Sequence, residues 1–437
     1  MREKDFFNQY SKVGILGIGL SGLAVAKKLN QYGMSFLLSD SRPQSEFPEL
    51  KDMDIGSQME FGGHSEKLLD VDLLIVSPGI SHMIPIIQKA IAKKIPLWSE
   101  IEFAYRLTHP ETKIIAVTGS NGKSTTASLI AHVLQENNYQ TILAGNIGKA
   151  YSSFPIDQKI DFIVLEVSSF QLELIHTFKP DVALILNLTP DHLNRYASFD
   201  EYVGTKLKIF MNQDSKGLSI MNAEDKKYLS LLNNKAKSIL QNFIFFTKED
   251  SEILKGLDLP LKGSHNELNI VAAMLSTAPY IDVKDFFQAL SSFHPLEHRL
   301  EPVLEEGGVL YINDSKATNT SSVQSALLAF SQPLHLLLGG AEKGEDYKVL
   351  AKYMRNKVKK LYLIGESAPK MHALFHKEFS CEIFSSFKNA VQATILNAER
   401  GDIVILSPAC ASFDWFRNYE ERGIKFKEII HTELGKK

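Results

Sequence analysis

Thr118-Gly119-Ser120-Asn121-Gly122-Lys123-Ser124-Thr125 lies between a short apolar run at residues 114–117 and a helical pattern of apolar residues. In a strand–loop–helix unit of this kind, glycines turn backbone N–H groups toward phosphate oxygens, and the helix N-terminus adds positive potential. Lys123 can reach the outer phosphates, and the Ser124 hydroxyl can ligate Mg²⁺. Val117 stands where the common NTPase motif has its first glycine, so the sequence predicts a variant loop that binds a triphosphate.

Apolar runs of strand length recur on both sides of this loop and alternate with helical patterns. They lie at residues 13–16, 36–38, 73–76, 114–117, 162–165, 182–186, 309–312, 334–338, 361–364 and 403–406. This alternation is typical of parallel sheets with right-handed crossovers. We therefore predict an α/β fold of three domains. These are an N-terminal Rossmann-like domain at 1–102, a central P-loop ATPase-like domain with a parallel sheet at 103–297, and a C-terminal Rossmann-like domain at 298–437.

The composition is that of an ordinary globular protein, with 44% hydrophobic and 23% charged residues among 437. A net charge of -3 gives no general attraction to nucleic acid or to an anionic membrane, so local sites must hold anionic ligands. Two cysteines exclude a disulfide framework, no apolar run approaches about 20 residues, and the charged start at residues 1–5 lacks a signal-peptide core. We expect a cytoplasmic protein that binds neither nucleic acid nor a membrane.

A second glycine-rich turn, Gly17-Ile18-Gly19-Leu20-Ser21-Gly22, follows the first predicted strand. Asp40 lies eighteen residues beyond Gly22, as in a dinucleotide-binding fingerprint, where it could accept a ribose hydroxyl. The nearby Arg42 could bind a phosphate instead. The residues alone therefore support a nucleotide-diphosphate site of unspecified kind, and a tight turn without a ligand is the alternative.

Polar residues also follow the strands beside the phosphate loop. Glu166 ends an apolar strand, where a buried carboxylate is costly without a cation, so we predict a metal site there and extend it to His192. Lys206 and Lys208 are two residues apart on a predicted helix, and this spacing predicts that both are solvated.

Three polar loops follow strands in the last segment and together predict a binding site. They are Asn313-Asp314-Ser315-Lys316-Ala317-Thr318-Asn319, Leu338-Gly339-Gly340-Ala341-Glu342-Lys343 and Leu406-Ser407-Pro408-Ala409-Cys410-Ala411-Ser412. Cys410 has no histidine near it in sequence, so we expect it to pack in the core and not to act as a nucleophile.

These motifs, with several others, resemble the Mur ligases of peptidoglycan synthesis over nearly the whole chain. The further matches are Gly145-Asn146-Ile147-Gly148, Leu165-Glu166-Val167-Ser168-Ser169-Phe170-Gln171-Leu172-Glu173, Asn187-Leu188-Thr189-Pro190-Asp191-His192, His265-Asn266 with Asn269, and His298-Arg299. The loop at residues 313–319 and the stretch from Ser407 to Gly423 resemble the members of the family that add D-glutamate.

The resemblance implies an ATP-dependent acid–amino-acid ligase that adds D-glutamate to UDP-N-acetylmuramoyl-L-alanine through an acyl phosphate. The residues implied for the UDP-linked substrate, in place of NAD, are Leu20, Ser21, Asp40, Ser41, Arg42, Ser77 and Asn146. Those implied for ATP are Gly119, Ser120, Asn121, Gly122, Lys123, Ser124, Thr125, Asn269, Arg299, Asp314 and Lys316. Those implied for D-glutamate are Thr318, Lys343, Ser412, Phe413 and Tyr419.

The resemblance also implies two Mg²⁺ ions and a carbamylated Lys206, whose bound CO₂ makes it an anionic metal ligand. The implied metal ligands are Ser124, Glu166, His192 and Lys206, and the implied catalytic residues are Lys123, Glu166, His192 and Lys206. We expect a monomer whose third domain closes to assemble the site. The chain departs from its relatives at Asn194, where they often carry Asp, and at Tyr419, where Phe is common.

Two other functions fit part of the pattern. One is a different amide ligase of the same superfamily, such as a folylpolyglutamate synthase, but the stretch from Ser407 to Gly423 argues against it. The other is a nucleotide sensor that binds its ligands without catalysis. The predicted catalytic residues argue against this function, since all four are present: Lys123, Glu166, His192 and Lys206. The choice of amino acid discriminates between the ligases.

Overall fold

The computed structural model describes residues 9–47, 50, 58–191, 195–232, 242–261, 263–294, 296–342 and 344–435. Three β-sheets follow one another along the chain, alternating with helices, and each predicted apolar run lies in one of their strands. The α/β class with three successive sheet domains is thereby confirmed. The domain limits at residues 102 and 297 stay predictions.

The first sheet has the strand order β3-β2-β1-β4-β5, and all neighbouring strands are parallel. Chain order reverses at β1, which lies between β2 and β4, so the turn after β1 opens a crevice at the carboxyl edge of the sheet. The elements are β1 (Lys12–Leu16), α1 (Leu20–Gln31), β2 (Ser35–Asp40), β3 (Gln58–Phe61), β4 (Leu73–Val76), α2 (Pro85–Ala92), β5 (Leu97–Trp98) and α3 (Glu100–Leu107).

The second sheet is also parallel, with the order β11-β10-β9-β6-β8-β7. Its strand β6 lies between β8 and β9, so residues that follow these three strands meet at one edge. The elements are β6 (Lys113–Thr118), α4 (Lys123–Glu136), β7 (Thr141–Gly145), β8 (Phe162–Glu166), α5 (Ser169–Leu172), β9 (Val182–Ile185), α6 (Phe199–Leu207), β10 (Leu218–Asn222), β11 (Phe243–Phe246), α7 (Ser264–Thr277) and α8 (Val283–Ser291).

The third sheet is mixed, because β12 pairs antiparallel with β13 while the other neighbours are parallel. Its order is β12-β13-β17-β14-β15-β16. The elements are β12 (Glu301–Glu306), β13 (Val309–Asn313), α9 (Thr320–Ala329), β14 (Leu334–Gly339), α10 (Ala351–Met354), β15 (Val358–Ile364), α11 (Ala368–Phe375), β16 (Cys381–Ile383), α12 (Phe387–Asn397), β17 (Ile403–Leu406) and α13 (Tyr419–Leu434).

Alternate residues of β14 cover both faces of the third sheet. Leu336 and Leu338 pack into a buried cluster with Met371 of α11, whereas Leu337 packs into a second cluster with Phe426 of α13. Successive strand side chains point to opposite faces, so such a strand must be apolar throughout. This explains the uninterrupted apolar run that predicts β14 from sequence.

The described chain divides into two compact units. The first comprises Met1–Leu188, Arg195–Lys255 and Leu268–Ser291, and the second comprises Thr189–Asn194, Gly256–Glu267 and Ser292–Lys437. The first two sheets therefore belong to one unit, and a single hydrophobic cluster runs from Ile15 in β1 to Ile163 in β8.

Glu102 fastens the first two sheets together within the first unit. Its buried carboxylate on α3 accepts hydrogen bonds of 2.9 Å from the backbone N–H groups of His176, Thr177 and Phe178, and one of 2.8 Å from Arg106 Nε. Burial opposes ionisation, but these donors outweigh it and lower the pKa of Glu102. The carboxylate is therefore charged and well satisfied at the junction.

Among the helices of the described residues, none combines the length and the apolar character that crossing a membrane requires.

Candidate active site

The predicted phosphate loop connects β6 to α4 at the centre of the second sheet. Gly119 and Gly122 have φ angles of +151° and +82°, a region that L side chains rarely adopt. The neighbouring strand end braces the loop: Asn187 Oδ1 accepts a 2.8 Å hydrogen bond from the N–H of Asn121, and its backbone oxygen accepts one of 2.9 Å from Ser120. The predicted order of strand, loop and helix is present.

Two lysines lie against the backbone of this loop. Lys123 Nζ donates to the carbonyl oxygens of Gly119 and Ser120 at 2.9 and 2.7 Å. Lys206 Nζ, from α6, donates to the same Gly119 oxygen at 2.9 Å. Two cationic groups therefore converge on the loop that the sequence predicts to bind a triphosphate.

The residue spacing predicts that Lys206 and Lys208 are both solvated, and that prediction is wrong. Lys206 is only 2% exposed, because α6 is covered by α5 on one side and by the turn at residues 223–231 on another. Lys208 donates a 2.7 Å hydrogen bond to the carbonyl oxygen of Glu173, and burial lowers the pKa of Lys208 although the Glu173 carboxylate opposes this. Neither burial follows from helical periodicity.

Glu166 ends β8 directly beside the strand that leads into the phosphate loop. It is in parallel register with Val117, and it is 1% exposed. Its Oε1 accepts a 2.8 Å hydrogen bond from the Asn146 side-chain amide. The structure thus brings a buried carboxylate to the position that the sequence predicts for a metal ligand.

Ser124, another predicted metal ligand, is buried in the first turn of α4. Hydroxyl and carboxylate oxygens are the ligands that Mg²⁺ prefers. His192 lies outside the described residues, as does Asn194. Among the described residues, no three Asp, Glu, His or Cys side chains form a metal-ligand group.

A cavity of about 810 Å³ opens between the first two sheets, within the first unit. The first glycine turn and the loops after β2 and β4 form its walls on one side, and the loop after β7 contributes to the other. All seven residues predicted for the UDP-linked substrate line it: Leu20, Ser21, Asp40, Ser41, Arg42, Ser77 and Asn146. The structure therefore brings together residues that lie up to 126 positions apart in the sequence.

Asp40 and Arg42 form an ion pair on the wall of this cavity. Arg42 donates from Nε to one Asp40 oxygen at 3.1 Å and from Nη2 to the other at 3.0 Å, and the N–H of Ile18 donates to the same carboxylate at 2.7 Å. Burial opposes ionisation, yet these hydrogen bonds lower the pKa of Asp40 to about 2. Asp40 is therefore an anionic acceptor, with a guanidinium group held beside it.

Asn269 on α7 lies close to the phosphate loop, as its predicted role in ATP binding requires. A methyl group on Gly122 would be 2.3 Å from Asn269 Oδ1, and Asn269 is buried. Gly122 is thus required by both its backbone angle and this approach.

Arg299 and Asp314, also predicted to bind ATP, lie together in the second unit. Asp314 accepts hydrogen bonds from the N–H of Leu300 at 3.2 Å and from Ser407 Oγ at 2.8 Å. Burial raises the pKa of Asp314 to about 7, although these hydrogen bonds and the Arg299 charge act in the opposite direction. This carboxyl titrates in the physiological range.

The three predicted loops of the last segment meet at the carboxyl edge of the third sheet. Backbone hydrogen bonds of 2.8 to 2.9 Å join them, from Ala409 to Ala317, from Gly339 to Pro408 and from Ala341 to Ala411. They meet because β13, β17 and β14 are adjacent and parallel.

The residues predicted for D-glutamate differ in their surroundings. Ser412 is buried, Phe413 is 74% exposed, and the Tyr419 hydroxyl accepts a 2.8 Å hydrogen bond from Lys316 Nζ. The backbone N–H of Thr318 donates to the Lys316 carbonyl at 2.9 Å. Lys343 lies outside the described residues.

Arg422 is a residue of this site to which the sequence assigned no role. It is 1% exposed on α13, and it donates to the backbone oxygens of Ser315, Cys410 and Ala411 at 2.8, 3.1 and 3.2 Å. Burial lowers the pKa of Arg422 to about 10. The sequence signal is its place near the end of the stretch from Ser407 to Gly423, which resembles the D-glutamate-adding members but gives no indication of three carbonyl partners.

Cys410 packs in the core, as predicted. Its Sγ lies 3.1 Å from the Tyr347 hydroxyl and 3.3 Å from Ser367 Oγ. Burial raises the pKa of the Cys410 thiol, which disfavours the reactive thiolate.

Three family models match successive parts of the chain. They describe the Mur ligase MurD-like N-terminal domain at residues 11–99, the Mur ligase middle domain at 117–277 and the Mur ligase glutamate ligase domain at 298–410. Among curated proteins, the UDP-N-acetylmuramoylalanine–D-glutamate ligase of Koribacter versatilis is 38% identical, over 96% of this chain and 97% of that protein.

Solved structures share the fold. The UDP-N-acetylmuramate–alanine ligase of Thermotoga maritima aligns with a TM-score of 0.61 and 19% identity, over 97% of this chain and 99% of that chain. The MurF ligase of Thermotoga maritima, solved in complex with ADP, aligns with a TM-score of 0.58 and 18% identity, over 85% of this chain and 91% of that chain. With the sequence matches along its whole length, the chain belongs to the Mur ligase family.

Proposed function

We propose that this Mur ligase uses ATP to join D-glutamate to UDP-N-acetylmuramoyl-L-alanine by an amide bond. The observation that carries the proposal is the 2.8 Å hydrogen bond between Asn146 and Glu166. Asn146 lines the cavity of the first unit, and Glu166 lies beside the strand that enters the phosphate loop. The bond therefore links a cavity for the acceptor substrate to the place where a γ-phosphate reacts.

The cavity is assigned to the UDP-linked substrate. Its volume of about 810 Å³ is in the range of sites for whole small molecules. The helix α1 begins at the cavity with the exposed Leu20, and the Arg42 guanidinium is 48% exposed there, so apolar contact and positive charge are both available to a nucleoside diphosphate. Leu20, Ser21, Asp40, Ser41, Arg42, Ser77 and Asn146 are the proposed contacts.

ATP is assigned to the phosphate loop. The backbone N–H groups and Lys123 bind the phosphates, and Asn269 lies beside Gly122 where it can contact them. The full set of proposed ATP residues is Gly119, Ser120, Asn121, Gly122, Lys123, Ser124, Thr125, Asn269, Arg299, Asp314 and Lys316.

The residues around the loop fit two Mg²⁺ ions. Ser124 and Glu166 offer buried oxygen ligands, and carbamylation of Lys206 would turn a buried ammonium group into a further anionic oxygen ligand. With His192 these are the proposed metal ligands. Mg²⁺ bound there would offset the negative charge of the triphosphate.

The reaction has two chemical steps. The alanine carboxylate attacks the γ-phosphorus of ATP, the bond to the ADP oxygen breaks, and an acyl phosphate forms. The D-glutamate amine then attacks the acyl carbon and loses a proton, and inorganic phosphate leaves as the amide forms. Lys123 offsets charge during phosphoryl transfer, and no bond to the protein is made.

The amino acid is assigned to the loops at the edge of the third sheet. Thr318, Lys343, Ser412, Phe413 and Tyr419 are the proposed contacts. The Lys343 cation can pair with one of the two carboxylates of glutamate. The hydroxyl groups of Thr318, Ser412 and Tyr419 can donate to these carboxylates, and the exposed Phe413 ring offers apolar contact. We propose that the protein is cytoplasmic and that it acts as a monomer.

An amino-acid screen tests this function. Release of phosphate from ATP is measured with UDP-N-acetylmuramoyl-L-alanine and a series of amino acids, and we expect turnover only with D-glutamate. Equal turnover with L-alanine or a diamino acid would reject the assignment, and turnover with a folate acceptor would move the protein to another branch of ligases. Light scattering measures the molar mass of the active fraction and so tests whether the protein is a monomer.

A further inference from the structure

One wall of the cavity is a loop that follows β4. Gly79, Ile80 and Ser81 of this loop line the cavity, and the N–H of Ile80 donates to the Ser77 carbonyl at 3.0 Å. A different wall is made by Gln171 on α5, in the central domain. The width of the cavity therefore depends on what holds these two walls to each other.

Arg195 holds the wall that belongs to the first domain by bonding its backbone. Its Nη2 donates to the carbonyl oxygen of Ile80 at 2.9 Å, and its Nη1 donates to that of Gly79 at 3.3 Å. The planar guanidinium group holds its donors in a fixed fork, so one orientation bonds both wall carbonyl groups and leaves a donor for a carboxylate, whereas the donors of a lysine all rotate about a single nitrogen.

Glu173, two residues after Gln171, anchors the same guanidinium group on the other side. Its Oε2 accepts from Arg195 Nη2 at 2.9 Å, and the two side chains are 17% and 10% exposed. Tyr196 donates to Glu173 Oε1 at 2.8 Å, and His82 Nε2 lies 3.1 Å from Oε2. The pair is thus partly buried, hydrogen-bonded on several sides and held in one geometry.

A ring contact fixes the arginine further. Its guanidinium carbon lies 4.5 Å from the centroid of the Phe170 ring, on the same short segment as Gln171 and Glu173. Stacking on a ring and hydrogen bonding on several sides together restrict the orientation of the guanidinium plane.

We infer that Arg195 is a positioning residue for the UDP-linked substrate. It ties the Gly79–Ile80 wall of the cavity to the Gln171 wall through Glu173. The inference rests on the proposed function, since it assigns the cavity to that substrate. Arg195 does not line the cavity, so it acts through the carbonyl groups that it holds.

The test compares Michaelis constants in Arg195→Ala. Displacing a binding wall by about 1 Å can cost orders of magnitude in rate, so we expect KM for UDP-N-acetylmuramoyl-L-alanine to rise about tenfold or more. We expect KM for ATP to stay within about twofold, because none of the hydrogen bonds described for the Arg195 and Glu173 side chains reaches the phosphate loop. Millimolar guanidinium ion should fill the vacated space and lower the raised KM.

Arg106→Ala is the matched control. Arg106 also bonds a buried glutamate, Glu102, and also lies over a ring, with its guanidinium carbon 4.2 Å from the centroid of Trp98. It supports the junction between the same two sheets but does not line the cavity or bond its wall, so it separates general support of that junction from a direct hold on the wall. We expect a comparable loss of thermal stability with KM for the UDP-linked substrate unchanged.

Each outcome decides the inference. An unchanged KM in Arg195→Ala, or a parallel rise in KM for both substrates that guanidinium does not reverse, overturns it. If Arg195→Ala does not fold, Glu173→Gln is measured, and an unchanged KM for the UDP-linked substrate there overturns it equally. The wild type separates the two proposals: no turnover of UDP-N-acetylmuramoyl-L-alanine rejects the function, whereas normal wild-type turnover with an unaffected variant rejects only the role of Arg195.

Discussion

Lys206 Nζ donates a 2.9 Å hydrogen bond to the carbonyl oxygen of Gly119. This contact joins helix α6 to the first glycine of the phosphate loop, across 87 residues of sequence. A buried cation at this point is suited to an anion that arrives with the substrate, and a carbamate on the same nitrogen is suited to the metal ions that accompany it.

Replacing Lys206 therefore tests whether its carbamate is used. We expect Lys206→Ala to lose at least about a hundredfold in kcat, since a group that stabilises the reacting charge is removed. Short carboxylic acids such as formate should partly restore kcat by filling the vacated space. Lys208→Ala is the control, because Lys208 bonds the Glu173 carbonyl instead, and carboxylic acids should have no effect on it. Wild-type kcat in Lys206→Ala would reject the role.

Asp314 should give the second unit a stability that depends on pH. Burial raises the pKa of this carboxyl from 3.8 to about 7, so its stabilising contribution is complete below about pH 4 and is lost as the pH rises through 7. Between these pH values, ionisation of Asp314 should lower the free energy of unfolding of the wild type by up to about 1.4 kcal/mol per pH unit.

The comparison is between wild type and Asp314→Asn, which cannot ionise. Calorimetry at about pH 5 and about pH 8 should show the melting temperature of the variant rising relative to the wild type at the higher pH. The same difference between the two proteins at both pH values would contradict the raised pKa of Asp314.

Two helical glycines should respond to alanine with opposite signs. A methyl group on Gly423 of α13 would lie 2.3 Å from His298 Nδ1. One on Gly204 of α6 would have no described atom within 4 Å beyond the backbone of its own helix and its chain neighbours. Gly423→Ala should cost about 2 kcal/mol or more, because His298 must give up its 2.8 Å hydrogen bond from Asn313. Gly204→Ala should gain about 0.5 to 1 kcal/mol from helix propensity.

Urea unfolding gives the free energy of unfolding of the wild type and of both glycine variants. Since each substitution adds one methyl group to a helix, the pair controls for propensity. A loss of stability in both, or in neither, would mean that the space around His298 does not decide the effect.

Arg422→Lys should weaken the binding of the amino acid. A lysine does not reproduce the two separate guanidinium nitrogens that reach the carbonyl groups of Ser315, Cys410 and Ala411, so the loops that carry Thr318 and Ser412 lose part of their common support. We expect KM for D-glutamate to rise about tenfold or more, with KM for the UDP-linked substrate unchanged. Equal effects on both constants would indicate general unfolding of the protein.

The sequence predicts every interior strand of the described sheets except β10 and none of their six edge strands. Residues 182–186 and 403–406 are continuous apolar runs because their strands are covered on both faces, and this composition is visible without a structure. The antiparallel edge strand β12 reads Glu-Pro-Val-Leu-Glu-Glu and is only partly covered, so its composition resembles that of a loop. Strand propensity depends on neighbours that a sequence does not show.

The same distinction applies to the site. The phosphate loop is local, so its glycines, Lys123 and Ser124 can be recognised within eight consecutive residues. The burial of Lys206 depends on α5 and on residues 223–231, and that of Arg422 depends on a loop 107 residues away. Helical spacing alone therefore predicts the wrong environment for Lys206. Resemblance to a family identified Lys206, whereas Arg422 required the three-dimensional contacts.

The Glu102 carboxylate also sets an order of events during protein synthesis. Its backbone donors at residues 176–178 follow it by 74 to 76 positions, so the first sheet leaves the ribosome before the peptide that will hold it. At roughly 5 to 20 residues per second, translation delays this contact by about 4 to 15 s. The hydrogen bonds that join the two sheets at Glu102 therefore form only after that peptide has left the exit tunnel.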